Sequence, residues 1–199
     1  MDQYLTLNAT IQSVETTVKG SKFICRAAPV EDRSEAEKQY QDIKKRYHDA
    51  SHNCYAYRID DKEFRYSDDG EPSGTAGRPI LKALEMNKIY KTLIVVTRYF
   101  GGVKLGTGGL SRAYGDIALL ALEEAEIVTR TTYITTALQT TYENQQFVNK
   151  FIIKFEGTVI HTDYTDKINI TIKIPRSKFE KFQNEVKQLI QREIVTISE

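Results

Sequence analysis

Two stretches of the chain decide how it folds and works: Tyr66-Ser-Asp-Asp-Gly-Glu-Pro-Ser-Gly-Thr-Ala-Gly77, and Arg98-Tyr-Phe-Gly-Gly-Val-Lys-Leu-Gly-Thr-Gly-Gly109, which runs on into Leu110-Ser-Arg-Ala-Tyr-Gly115. Nine of the eleven glycines lie between Gly70 and Gly115. Glycine weakens helix and strand interiors, and is useful where the backbone needs positive φ or close approach to another group. Interleaved with Asp, Ser, Thr, Arg and Lys, it marks a shaped polar surface on loops.

Outward from these loops the pattern is mixed α and β. Before the second loop, Thr92 to Phe100 reads as a strand whose apolar centre, Leu93-Ile-Val-Val96, predicts burial on both faces. After it, Leu110 to Glu124 reads as a helix, and Glu126 to Thr132 as a further strand. Strands are expected over Thr10–Val18, Phe23–Val30, His52–Ile59 and Glu63–Ser67. A helix is expected from a capping box at Ser34-Glu-Ala-Glu37, with Ala36, Tyr40, Ile43 and Tyr47 inward. A shorter helix starts at Pro79 and runs to Met86.

Beyond Thr132 the style changes to one glycine and no motif. The order is strand to Thr141, helix (Phe147, Val148, Phe151, Ile152), strands Gly157–Tyr164 and Lys167–Ile174, a helix from a capping box at Ser177–Glu180, and strand Glu193–Ile197. This βαββαβ order is ferredoxin-like. The expectation is therefore an α+β protein of two domains, residues 1–132 and 133–199.

Composition bounds the function. Of 199 residues, 40% are hydrophobic and 28% charged, as in soluble globular proteins. Residues 1–132 carry 19 charges of each sign, and 133–199 carry 9 basic and 8 acidic, so neither half is a basic nucleic-acid footprint by net charge, which leaves a local basic patch open. No apolar run reaches transmembrane length and the start lacks signal-peptide character, which points to the cytoplasm and away from membranes. Cys25 and Cys54 are expected as a reduced pair.

The second loop has the composition of an anion site. A strand leads into glycines ahead of a helix start, where N–H groups are unpaired and the dipole is positive. The candidate anion- or nucleic-acid-binding residues are Arg98, Gly101, Gly102, Lys104, Gly106, Thr107, Gly108, Gly109, Ser111 and Arg112. The run is not a phosphate-binding P-loop, because Gly106 is followed by Thr107 and Gly108 rather than Lys and Ser or Thr. In the first loop Asp68, Asp69 and Glu71 suit a general base or Mg²⁺, or else turn formation and helix capping. Asp68 or Asp69 pairing with Arg78 or Arg98 is a further alternative. His52, Asp68, Asp69, Glu71, Ser73, Thr75 and Arg78 form the candidate pocket, with both loops expected on one face and His52 beside them. His48 with His52 at i, i+4 and Cys54 two residues after His52 do not complete a metal set, and no metal or cofactor is expected.

These two strings, with Val95-Val-Thr97 leading into the second, resemble the YigZ/IMPACT family. His52-Asn-Cys-Tyr-Ala-Tyr-Arg-Ile59 and Lys19-Gly-Ser-Lys-Phe-Ile24 fit its earlier segments. The resemblance implies a first domain like domain 2 of a small-subunit ribosomal protein, a fold shared with elongation factor G domain IV and GHMP kinases. It implies a second domain like elongation factor G domain V. Eukaryotic members regulate the general-control kinase pathway through an additional domain, so that role is not expected here. Two functions stand open. One is a translation-associated protein contacting RNA, the ribosome or a ribosome-bound factor through the glycine-rich loop. The other is an enzyme acting on a phosphorylated small molecule or nucleic acid, with phosphate on the same loop and a base from residues 68–71. No complete catalytic constellation is legible.

Overall fold

The computed structural model describes residues 2–197. The chain divides into two compact units, residues 5–129 in one and residues 130–197 with 2–4 in the other. The division falls within strands β1 (Gln3–Leu7) and β7 (Ile127–Thr131), which pair with each other.

In the unit of residues 5–129, β2 (Ile11–Val18), β3 (Ser21–Pro29), β4 (His52–Arg58), β5 (Phe64–Ser67) and β6 (Thr92–Tyr99) form one sheet in the order β2-β3-β6-β4-β5, with every neighbouring pair antiparallel. Side chains alternate across a strand. Ile94 and Val96 of β6, Cys25 and Ala27 of β3, and Cys54 and Ala56 of β4 pack beneath α2 (Gly77–Met86) and α3 (Gly106–Glu123). Leu93, Val95, Tyr55 and Tyr57 pack on the opposite face, with Ala36 and Tyr40 of α1 (Arg33–Arg46). Residues 92–98 are all buried, because helices cover both faces of this central strand.

Three helix starts differ from expectation. The N-cap of α1 is Asp32, whose carboxylate accepts the Glu35 N–H at 2.9 Å, while Glu35 accepts the Glu31 N–H at 2.8 Å. The Ser34–Glu37 spacing fits the same pattern, but Glu37 is taken by Arg33, Arg65 and Tyr57. Helix α2 begins at Gly77, two residues before Pro79. Helix α3 begins at Gly106, so Gly106, Gly108 and Gly109 form its first turn rather than a loop ahead of Leu110. Glycine costs helix about 1 kcal/mol per residue, and the burial of Leu110, Ala113, Tyr114 and Ile117 offsets that cost.

The other unit runs β8 (Tyr133–Thr140), α4 (Gln145–Lys154), β9 (Thr158–Tyr164), β10 (Ile168–Pro175), α5 (Arg176–Gln191) and β11 (Val195–Ile197). Its sheet order is β11-β8-β10-β9, the antiparallel βαββαβ arrangement. Ile168, Ile170, Ile172 and Ile174 point inward at alternate positions and meet Phe151, Phe155, Phe182 and Val186 from the helices. The α5 cap differs from expectation. Its N-cap position is Pro175, and the Asp2 carboxylate accepts from the Ser177 N–H and hydroxyl. The Ser177 hydroxyl hydrogen bond holds the Asp2 carboxyl below its usual pKa.

Candidate functional site

One rung of the five-stranded sheet organises the site. Phe23 on β3 and His52 on β4 lie directly across from Arg98 on β6. Alternation sends Arg98 and Phe23 to the α2/α3 face, where Tyr114 of α3 meets the Phe23 ring edge-on at 5.2 Å. Above this rung the first loop inserts Glu71. Its Oε1 accepts from Arg98 at 2.6 Å and from the Tyr114 hydroxyl at 2.8 Å, and lies 3.9 Å from His52 Nε2. Arg98 also donates to Ser21 Oγ at 3.1 Å, and its Nε–H is buried without a partner. The ion-pair side chains are only 6% and 3% exposed, so this charge pair belongs to the interior.

The two aspartates beside Glu71 are engaged by backbone. Asp68 accepts the N–H groups of Gly74, Ala76 and Gly77 at 2.8–2.9 Å, so it serves as the missing side-chain cap of α2. Asp69, at φ +43°, accepts the Asn53 N–H at 2.7 Å and pairs with Lys44 at 2.8 Å. Its carbonyl meets His52 Nδ1 at 2.9 Å. Thr75 is buried and donates to the Pro72 carbonyl, and Ser73 is exposed. The alternative of Arg98 pairing with Asp68 or Asp69 gives way to Glu71. Arg78 pairs with Glu85 at 3.3 Å instead.

In the second stretch the glycines have separate duties. A Cβ on Gly101 would sit 1.9 Å from the Gly20 carbonyl carbon, so the β2–β3 turn rests on it backbone to backbone. Gly102 and Gly106 hold positive φ, +84° and +73°, in open space. Gly109 lies against Leu105, while Gly108 faces nothing. Lys104, Thr107 and Arg112 are exposed, Ser111 is half-buried, and the first turn of α3 has no side-chain cap. Gly74, Arg78, Lys82, Ser111, Arg112 and Asp116 line an open groove of ≈ 340 Å³ between α2 and α3. The structure thus joins the end of the first loop to the α3 start, and removes Arg98 from the exposed set that an anion ligand requires.

Cys54 lies under the cluster, its Sγ 3.0 Å from the Asp68 carbonyl and 3.4 Å from the Tyr114 hydroxyl. Burial pushes both the Cys54 thiol and the Tyr114 phenol well above their ordinary pKa values, keeping each neutral. Cys25, free and wholly buried, is raised for the same reason. Among the described residues no three His, Cys, Asp or Glu side chains gather as a metal site, and no helix is long and apolar enough to cross a membrane.

Sequence reasoning missed Lys82 and Ser21 as members of these arrangements. Lys82 lies one helical turn after Arg78, the one signal that a pattern argument could have used.

Residues 19–122 match the family model described as the Impact N-terminal domain. The chain belongs to the IMPACT family. Residues 139–191 match a domain of unknown function (DUF1949). The IMPACT family member YigZ of Escherichia coli (strain K12) is 31% identical over 186 residues, 92% of this chain and 91% of YigZ. The IMPACT family member YvyE of Bacillus subtilis (strain 168) is 46% identical over 118 residues, 58% of this chain and 54% of YvyE. A crystal structure described as that of a hypothetical protein superposes with a TM-score of 0.71 at 29% identity, covering 99% of this chain and 97% of the other.

Proposed function

We propose that this IMPACT-family chain is a translation-associated binding protein that contacts RNA, the ribosome or a ribosome-bound factor through the basic face around the start of α3. The observation that carries this reading is the α2/α3 groove, whose charged lining is Arg78, Lys82, Arg112 and Asp116, with Arg78 paired to Glu85 at its rim. Exposed Lys104 adds a cation on the loop that leads into α3. Guanidinium groups offer forked donors to phosphate oxygens, and an uncapped helix start adds N–H groups and a positive dipole end.

The enzyme alternative has less support, because the carboxylates it needs are already engaged. Asp68 holds three backbone N–H groups, Asp69 a backbone N–H and a lysine, and Glu71 an arginine and a tyrosine in the interior. A general base needs a lone pair facing the substrate.

Fluorescence anisotropy with labelled RNA tests the reading. Affinity should fall as salt rises, and Lys82→Ala, Lys104→Ala and Arg112→Ala should each weaken it. Each lost phosphate contact should flatten the slope of log K against log salt by roughly 0.7–0.9. A salt-independent affinity, or variants that bind like the wild type, would refute the basic face as the contact.

A further inference from the structure

Phe100 presents an apolar ring to solvent from a fixed frame. It directly follows β6 and is 50% exposed, and Val103, across the Gly101–Gly102 turn, is 51% exposed. The backbone is pinned at both residues of the turn's entry. The Phe100 N–H donates to Ser51 Oγ at 3.0 Å, and the Gly101 N–H donates to Ser21 Oγ at 3.2 Å. Gly101 also rests on the Gly20 backbone with no space for a Cβ. The ring is braced as well, because the buried Arg98 guanidinium lies over it, 5.5 Å from the centroid. Arg98 is in turn held by Glu71 and Ser21. Leaving an aromatic ring half in water forgoes burial energy. Holding it still in that position lowers the entropy cost of binding a partner there.

The charges around the ring select the partner. Residues 99–115 carry Lys104 and Arg112 and no acidic residue. Exposed Lys19 adjoins Gly20, the residue against which Gly101 rests. Helix α3 starts at Gly106 without a side-chain cap, so its first N–H groups add to the positive field. A partner that satisfies all of these brings negative charge for the cations and a flat π face for the ring. An RNA duplex offers its phosphates but keeps its base faces inside the stack. A single strand offers phosphates and base faces together, and a guanidinium beside the ring adds a cation–π contribution to such stacking. We propose that Phe100 is the stacking platform for an unpaired base, so that the RNA taken by this face is single-stranded, with phosphates at Lys19, Lys104, Arg112 and the α3 start. This rests on the RNA-contacting reading of the α3 face and names the form of RNA that the face selects.

A single-stranded oligouridine carrying one 2-aminopurine tests this with the full chain, because stacking quenches that fluorescent base. Anisotropy of the same strand, and of a blunt RNA duplex with the same number of phosphates, is measured alongside. The single strand should bind more tightly than the duplex, and its probe should be quenched on binding. Phe100→Leu keeps an apolar cover over Arg98 but removes the π face. It should lower single-strand affinity roughly 5- to 150-fold, abolish the quench and leave the salt slope unchanged, since no charge is lost. Phe100→Tyr keeps the ring and should retain affinity and quench. Both variants should give the wild-type circular dichroism spectrum, because the residue is half exposed. A duplex bound as tightly as the single strand, a quench that survives Phe100→Leu, or a Phe100→Tyr variant as weak as Phe100→Leu would each overturn the platform, while salt-dependent binding through Lys82 and Arg112 still stood. Absence of salt-dependent binding to either RNA would remove the underlying reading and the platform with it. Binding to anionic lipid vesicles in place of RNA, lost in Phe100→Leu, would overturn the choice of a nucleic acid.

Discussion

Replacing Arg98 by Met should be among the most damaging single changes in the unit of residues 5–129. The guanidinium is 6% exposed and faces a Glu71 side chain 3% exposed at 2.6 Å. Removing the cation strands a carboxylate in the interior, which costs about 3–5 kcal/mol. Domains are stable by only about 5–15 kcal/mol, so the loss is a large part of the total. A middle value of ~4 kcal/mol corresponds to a fall of roughly 10–20 °C in Tm for a unit of this size. Combining Arg98→Met with Glu71→Leu removes both charges, and most of that cost should return. The remainder should be about 1–3 kcal/mol, because the Tyr114 hydroxyl, 2.8 Å from Glu71 Oε1, loses its carboxylate acceptor. Urea unfolding followed by circular dichroism is the assay, with Phe182→Ala as the reference for the other unit, since separate transitions need separate assignment. A single Arg98→Met variant within about 1 kcal/mol of wild type, or a double variant no better than the single one, would refute the buried pair as an uncompensated charge when broken.

Three further outcomes follow from the geometry. Asp68→Ala strips three N–H groups of their acceptor at the α2 start and should cost about 1–2 kcal/mol in urea unfolding, without changing the salt slope of RNA binding. Gly101→Ala should prevent stable folding, because its Cβ would overlap the Gly20 backbone, whereas Gly108→Ala faces open space in a helix and should stabilise by about 0.5–1 kcal/mol. If RNA approaches the first turn of α3, Gly108→Ala should also weaken binding, and anisotropy reads that. Burial raises the Cys25 and Cys54 thiols, so the unfolded chain loses their protons first as pH climbs past the ordinary thiol value of 9.0. Their contribution is complete below that pH and should then decline by about 1.4 kcal/mol per pH unit for each. Cys25→Ala and Cys54→Ala should flatten this alkaline limb, and a limb unchanged in both variants would argue against buried thiols as its source.

Local pattern and tertiary placement divided the information in this chain cleanly. The alternation of isoleucines from Ile168 to Ile174 and the apolar run at Leu93–Val96 made the βαββαβ half and the doubly covered β6 legible from the residues alone, because burial period follows directly from backbone geometry. The glycine-rich strings identified the family, since their order and composition need no coordinates. Helix starts were less legible. Asp32 and Ser34 both head capping-box spacings, and the choice between them fell to Arg65 and Tyr57, which hold Glu37 from other strands. The α5 start is capped from Asp2, 175 residues away. The fate of Arg98 was equally hidden. Its partner is Glu71 rather than either neighbouring aspartate, because Asp68 and Asp69 spend their oxygens on backbone N–H groups that only the folded loop brings near. A sequence states which groups can donate, accept or carry charge. Which of several equivalent groups meets a given partner depends on distances set by the whole sheet and its covering helices, and that is where the tertiary structure alone decided.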